Sequence, residues 1–208
     1  MSDILARCPA LFVTHDDEEK DEKDDKKNDY AQLMLKARTV LVNGQVDAEL
    51  AEKVISQLIV LDQQSKDPIK VIITSQGGHV DSGYAIHDVM RFLESEVITI
   101  GAGWVASIGV PILLGATKKS NRFSLPNTRF LLHQPSGGAG GQAADIRIEA
   151  QEIIKIRERI NRLIALETGQ PVEKVERDSD RNFWMSAKEA VDYGLVSKIV
   201  ERADQMRG

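Results

Sequence analysis

Three short stretches carry residue types used in acyl transfer. In "GAGWVASIGVP", Ser107 falls where a strand-like run gives way to an apolar, helix-like one. A helix starting there supplies partial positive charge, and the Ile108 amide would face a developing oxyanion. Serine is also a good helix cap, and Val105 fills the first glycine slot of a G-x-S-x-G elbow, so that motif is not matched. In "TRFLLHQP", His133 closes an apolar strand, at the carboxyl edge of a sheet where ligands of α/β proteins gather. The other histidines read differently: His15 sits in a charged run, His79 abuts a double glycine, and His87 lies in a helical segment beside Asp88. In "TSQGGHV", Gly77 and Gly78 allow a backbone amide to approach a substrate closely, although a tight turn uses the same pair. Singly, each stretch has a structural explanation. Together they offer nucleophile, base and oxyanion donors, lacking only an acid to orient the histidine.

The elements that must position them are those of an α/β domain. "ARTVLVNGQV" reads as a strand ending in an Asn-Gly turn. "DAELAEKVISQLIVLDQQ" reads as an amphipathic helix with Asp47 as N-cap and Leu50, Val54, Leu58 and Leu61 on one face. "IKVIITS" is a buried strand, "DSGYAIHDVMRFLES" a helix, "VITIGAGWV" a strand, "ASIGVPILLGA" a helix and "TRFLLHQP" a strand. Strands and helices alternating through short connectors imply parallel crossover units. The longest periodic segment, residues 142–168, carries Ile146, Ile153, Ile156, Ile160, Leu163 and Ile164 as a stripe, with Gly169 as its stop. At 1.5 Å per residue it spans roughly 40 Å, more than a compact domain of this size needs. It is therefore expected to project and pack on another subunit, unless it is a long core helix.

Composition narrows the function classes. A chain of 208 residues with a net charge of −5 has no basic footprint for nucleic acid, and at 5% aromatic residues it has no stacking platform. The single cysteine, Cys8, excludes a disulfide framework and a thiol metal cluster. No metal or cofactor motif is found: there is no phosphate loop, G-x-G-x-x-G or H-E-x-x-H. Residues 15–29, "HDDEEKDEKDDKKND", contain no apolar side chain, and residues 1–29 read as a segment with an acidic, mobile arm. A folded domain follows over residues 30–201, with a tail at 202–208. Neither a secretory signal nor a membrane-spanning run is legible, so the expected location is cytoplasmic.

The blocks "SQGGHVDSGYAIHDVM", "GAGWVASIG", "SLPNTRFLLHQPSGGAGGQAADIRIEAQEI" and "ETGQPVEKVERDSDRNFWMSAKEAVDYGLV" resemble the Clp protease proteolytic subunit (ClpP) family from about Tyr30 to Val200. The resemblance implies an α/β, crotonase-like spiral fold of repeated β-β-α units with a projecting handle helix. It also implies heptameric rings stacked as a tetradecamer, enclosing a chamber fed with unfolded proteins by a separate Clp-type ATPase. Carried over, Ser107 is the nucleophile, His133 the base, and the amides of Gly78 and Ile108 the oxyanion hole. The substrate lies as an added strand along Gly77, His79, Gln134, Pro135, Ser136 and Gly137. No cofactor, nucleic acid or membrane is implied.

Departures from the family pattern bear on activity. Gln76 stands where the family usually has proline, and a residue is inserted around "TKKSN". Lys70 and Ile72 occupy a strand that commonly gives aromatic residues to the ATPase docking cleft, while Phe92 is retained. The third triad position falls on Asn182, which accepts a hydrogen bond but brings no charge to the imidazolium. Asp178 and Asp180 would have to swing toward His133 to replace it; otherwise they cap their loop or pair with Arg177 or Arg181. The resemblance thus leads to a serine peptidase of low intrinsic activity. The rival readings are a ring subunit that lends shape to an active paralogue and, from the shared fold, an acyl-CoA enzyme.

Overall fold

The computed structural model describes residues 30–135 and 140–206. The chain divides into two units, Met1–Ala37 and Arg38–Gly208. In the first, the described residues include a short helix, α1, over residues 30–36. In the second, β1 (Thr39–Val46), α2 (Ala48–Gln64), β2 (Ile69–Gly78), α3 (Val80–Phe92) and β3 (Val97–Ala106) form two successive crossover units. Then follow α4 (Gly109–Leu114), β4 (Arg122–Ser124), β5 (Arg129–Leu132), the long α5 (Ala143–Thr168), α6 (Val172–Ser179), β6 (Phe183–Ser186), α7 (Ala187–Tyr193) and β7 (Lys198–Ile199).

The strands form one seven-stranded sheet with neighbours β1-β2-β3-β4-β7, and β5 and β6 branch from it. The branch arises within β3. Its first half pairs with β4 (Thr99↔Arg122 to Gly101↔Ser124), and its second half with β5 (Trp104↔Arg129 to Ala106↔Leu131). Gly103, at φ 63°, lies between the two halves. All these pairings are parallel, as the alternation of elements implies. β6 alone runs antiparallel, along β5, because it returns from α6 instead of crossing over.

The expected Asn-Gly turn is not a turn. β1 continues through Gly44, whose φ of 83° forms a bulge between Asn43 and Gln45, and resumes pairing with Gly77 and Gly78. The helix read over "ASIGVPILLGA" is shorter than expected, six residues, because Ser107 and Ile108 form the turn before it. Residues 172–179 are helical, so a helix runs into the stretch around Asp178 read as a loop.

Apolar periodicity drives the packing. Val42, Leu58, Leu61, Ile69, Val71, Ile73 and Val97 are 0% exposed, each contributing roughly 1.5–3 kcal/mol on burial. Asp47 caps α2 by accepting from the Leu50 amide at 2.8 Å. At the other end of α2, the buried Asp62 accepts from the Ser95 amide (2.8 Å) and from Lys66 (2.9 Å), tying the helix to the turn before β3. The base of α5 is fixed by a buried ion pair: Arg122, 1% exposed, reaches the Glu167 carboxylate and donates to the carbonyls of Glu167 (3.2 Å) and Leu114 (3.1 Å).

Two predictions follow from these polar clamps. Glu167→Ala leaves the Arg122 charge buried without a counter-ion and is expected to lower stability by about 3–5 kcal/mol, measured by urea unfolding at a fixed assembly state. Burial pushes the Asp62 carboxyl up, but its bonds from Lys66 and Ser95 together outweigh that and hold it at about 2. A depressed carboxyl stabilises the folded state above its ordinary value and loses that contribution as pH falls toward 2. Comparing acid titrations of stability for wild type and Asp62→Asn should therefore show the difference shrinking between about pH 4 and pH 2.

Candidate active site

Strand register brings the chemically capable residues together. Ser75 on β2 pairs with Val105 on β3, so two residues further along each strand Gly77 comes opposite Ser107. Ala106 pairs with Leu131 on β5, and the Ser107 amide donates to the Leu131 carbonyl at 3.0 Å. His133 follows two residues later. Leu132 pairs with Phe183 on antiparallel β6, so one step beyond that pair come His133 and Asn182. Four residues far apart in sequence thus lie at the ends of adjacent strands.

Ser107 adopts φ 55°, a left-handed conformation that non-glycine residues seldom take. Its amide is tied to β5 and its carbonyl accepts from Val110 at 3.0 Å. Its hydroxyl does not cap α4, whose cap residue is Ile108, without any side-chain bond. The capping explanation for this serine is therefore not what the structure contains. Gly77, at φ 93°, is pressed against it. A Cβ on Gly77 would lie 2.6 Å from Ser107 Cβ and 2.9 Å from the Ala106 carbonyl oxygen. At Gly78, φ 152°, a Cβ would meet the Val46 carbonyl oxygen at 2.2 Å. Both positions require glycine.

Gln76 is held by hydrogen bonds. With its amide oriented to satisfy both groups, it donates to Gly44 O and accepts from Gln45 N, each at 3.2 Å. Beneath it the buried Ser75 donates to Gly44 O (2.5 Å) and accepts from the Gly77 amide (3.0 Å). Ser75 is not singled out by the sequence, in which Gln76 reads only as a departure from the family pattern. The glycine bulge opposite them was the available signal, hidden because it read as a turn.

Ser107 and His133 line one cavity of about 10 Å³, walled by Val80, Leu132, Pro135, Ile160, Ile164 and Ser179. On its other side His133 faces an open depression shared with Gln134, Asp180, Arg181 and Asn182. Among the described residues, no hydrogen bond joins Ser107 to His133 or His133 to Asn182, and Asn182 is exposed. Asn182 is held near β5 by its strand. Arg129 stacks over Trp184 at 4.1 Å, and Ser186 ends β6 in a capping box with Glu189.

Neither neighbouring aspartate turns to His133. Asp178 accepts from Lys174 (2.7 Å) and the Tyr193 hydroxyl (2.9 Å). Burial and then that bond to Asp178 raise the Tyr193 phenol. Asp180 faces Arg157 at 3.5 Å, while its carbonyl accepts from Gln134 at 2.9 Å. The pairing expected with Arg177 or Arg181 is not formed. His79 is locally bonded: its Nδ1 caps α3 by accepting from the Ser82 amide at 3.4 Å and lies 2.9 Å from the Ser82 hydroxyl, and its amide donates to Val46 O at 2.7 Å. His87 bonds Asp88 at 2.8 Å. Ser136 and Gly137 lie outside the described residues. No cluster of metal ligands is found among the described residues, and none of their helices is long and apolar enough to cross a membrane.

Comparison with known proteins gives the chain its family. Residues 21–203 match the family model described as Clp protease. The ATP-dependent Clp protease proteolytic subunit 3 of Rhizobium johnstonii is 53% identical over 167 residues, covering 80% of this chain and 86% of that protein. Proteolytic subunit 2 of Pseudomonas aeruginosa is 51% identical over 166 residues, 80% of this chain and 82% of that protein. Among solved structures, an asparagine-to-aspartate mutant of ClpP1 from Listeria monocytogenes superposes with a TM-score of 0.80 at 50% identity, covering 86% of this chain and 99% of that one. The α/β fold is therefore that of ClpP. With its family model, its relatives and its fold in agreement, this chain belongs to the Clp protease family and is a peptidase related to its proteolytic subunits.

Proposed function

We propose that the chain is a serine endopeptidase of low intrinsic activity, working as the proteolytic core of an ATP-dependent Clp protease on unfolded proteins. The observation that carries this reading is the left-handed Ser107, with Gly77 in contact behind it and His133 in the same cavity. The register at Leu131 sets the Ser107 amide on β5, two residues before His133.

In the proposed reaction His133 takes the Ser107 proton as Oγ attacks the scissile carbonyl. The amides of Gly78 and Ile108 receive the negative charge on the carbonyl oxygen. The protonated His133 then gives its proton to the leaving amine, and water releases the acyl group by the same steps in reverse. The substrate backbone runs along Gly77, His79 and the segment Gln134 to Gly137 as an added strand. Asn182 is the third member, opposite His133 in strand register, and supplies no charge to the imidazolium. In the resting geometry the chain Ser107–His133–Asn182 is unjoined, and substrate or assembly has to align it. The partners are further copies of the chain in stacked heptameric rings and a Clp-type ATPase, in the cytoplasm.

A second reading, a ring subunit that shapes the chamber of an active paralogue, is favoured by one observation: Asn182 is exposed and unbonded among the described residues.

Peptidase activity on a short fluorogenic peptide, in preparations matched for assembly state, separates the two. Asn182→Asp is expected to raise turnover by a factor between about 10 and 10⁴, and Ser107→Ala to abolish it. If the wild type is active and Asn182→Asp changes nothing, Asn182 is not the orienting group. If an active-site fluorophosphonate never labels Ser107 in any assembly state, and mixed rings with an active paralogue tolerate Ser107→Ala, the ring-subunit reading holds instead.

A further inference from the structure

The two amides proposed to receive the oxyanion stand on different elements, Gly78 at the end of β2 and Ile108 before α4. One buried side chain lies between their supports. Ser75 is fully buried where β2 loses register with both its neighbours. Against β1 the pairing passes from Asn43↔Thr74 to Gln45↔Gly77, so Ser75 and Gln76 together oppose Gly44; against β3 it passes from Ile73↔Gly101 to Ser75↔Val105. A two-against-one bulge interrupts the ladder and leaves backbone groups to be satisfied some other way. The Ser75 hydroxyl does this: it donates to Gly44 O at 2.5 Å and accepts from the buried Gly77 amide at 3.0 Å. The same residue backs onto α4. A Cβ on Gly109 would lie 3.5 Å from the Ser75 carbonyl oxygen and 3.6 Å from Ser75 Cβ. Gly77, whose amide Ser75 holds, is the residue pressed against Ser107.

We infer that Ser75 is a positioning residue for acyl transfer, its hydroxyl fixing the register at which Gly77 backs Ser107 and the Gly78 amide meets the developing oxyanion. Its one donor is engaged by Gly44, so it acts through Gly77 and takes no part in proton transfer. Without the hydroxyl, the Gly77 amide is left buried and unpaired. The strand end relieves that only by rotating the Gly77 peptide or by moving the bulge along β2, and either change redirects the Gly78 amide. An oxyanion donor is effective at about 2.7–3.1 Å from the oxygen's position in the tetrahedral intermediate, so a small displacement weakens transition-state stabilisation. Binding of the extended substrate backbone, spread over several residues, is affected much less. This inference rests on the peptidase reading given above, because Gly78 meets an oxyanion only if Ser107 is the nucleophile.

The test compares the full chain with Ser75→Ala and Ser75→Thr in preparations matched for assembly state. It measures kcat and KM on a fluorogenic peptide, and inhibition by a boronate of the same peptide, which mimics the tetrahedral intermediate. Binding of the uncleaved peptide is followed by calorimetry in a Ser107→Ala background. Ser75→Ala is expected to lower kcat about 10- to 100-fold and to weaken the boronate by a similar factor, while KM and peptide affinity stay within about twofold. Ser75→Thr, which keeps both hydroxyl functions, should hold kcat within about fivefold of wild type. If Ser75→Ala fails to assemble, Ser75→Cys, of similar size but with a weak donor and acceptor, takes its place, and the same split is expected at about three- to tenfold. An unchanged kcat in the substituted chain, a Ser75→Thr as impaired as Ser75→Ala, or equal losses of boronate and peptide binding overturns the inference. Equal losses are what a general loosening of β2 would produce. A wild type that neither cleaves peptide nor takes a fluorophosphonate at Ser107 in any assembly state overturns the peptidase reading and this inference with it. An active wild type with an unaffected Ser75→Ala overturns the inference alone.

Discussion

Everything at the site depends on one backbone constraint, the left-handed turn at Ser107 where β3 leaves the sheet. A β-strand that simply continued would point successive side chains to opposite faces and carry the serine past its neighbours. Instead the Ser107 amide stays hydrogen-bonded to β5 while its φ of 55° turns the chain into α4. Such a conformation persists only where the surroundings over-determine it. Here β2 supplies a glycine in van der Waals contact on one side, and β5 supplies a carbonyl on the other.

The glycines on β2 are held from the other flank. The bulge at Gly44 turns its carbonyl toward Ser75 and Gln76, and together they fix the last residues of β2 without a proline. These hydrogen bonds limit the conformation of the segment. Ser75 is buried with both its donor and acceptor functions engaged.

The long helix links the site to the rest of the molecule. Its base is clamped by Arg122 and Glu167 and supplies Ile160 and Ile164 to the cavity wall. Further toward its start, Ile146, Ile148 and Ile154 remain exposed. One continuous element therefore joins the cavity wall to isoleucines that the other described residues leave exposed. A displacement at the base of α5 would alter the pocket directly, because the side chains that hold the helix down and those that line the cavity share its last three turns.

The sequence by itself determined the types of the elements from β1 to α4, of β5 and of α5, the cap at Asp47, the stop at Gly169 and the identity of the serine, histidine and double glycine, because each is a local matter of periodicity or backbone freedom. It did not reveal that Asn-Gly in β1 is a bulge, since turn and bulge ask for the same residue chemistry. Nor did it reveal that Asp178 and Asp180 face Lys174, Tyr193 and Arg157 instead of the neighbouring arginines. Those partners are set by the direction a helix gives its side chains, and α6 was not legible in so polar a stretch. Only the tertiary structure decided that Ser107, His133 and Asn182 lie at the ends of adjacent strands. Their proximity follows from the register of β3 against β5 and of β5 against β6, a long-range pairing that a one-residue slip in any strand would undo.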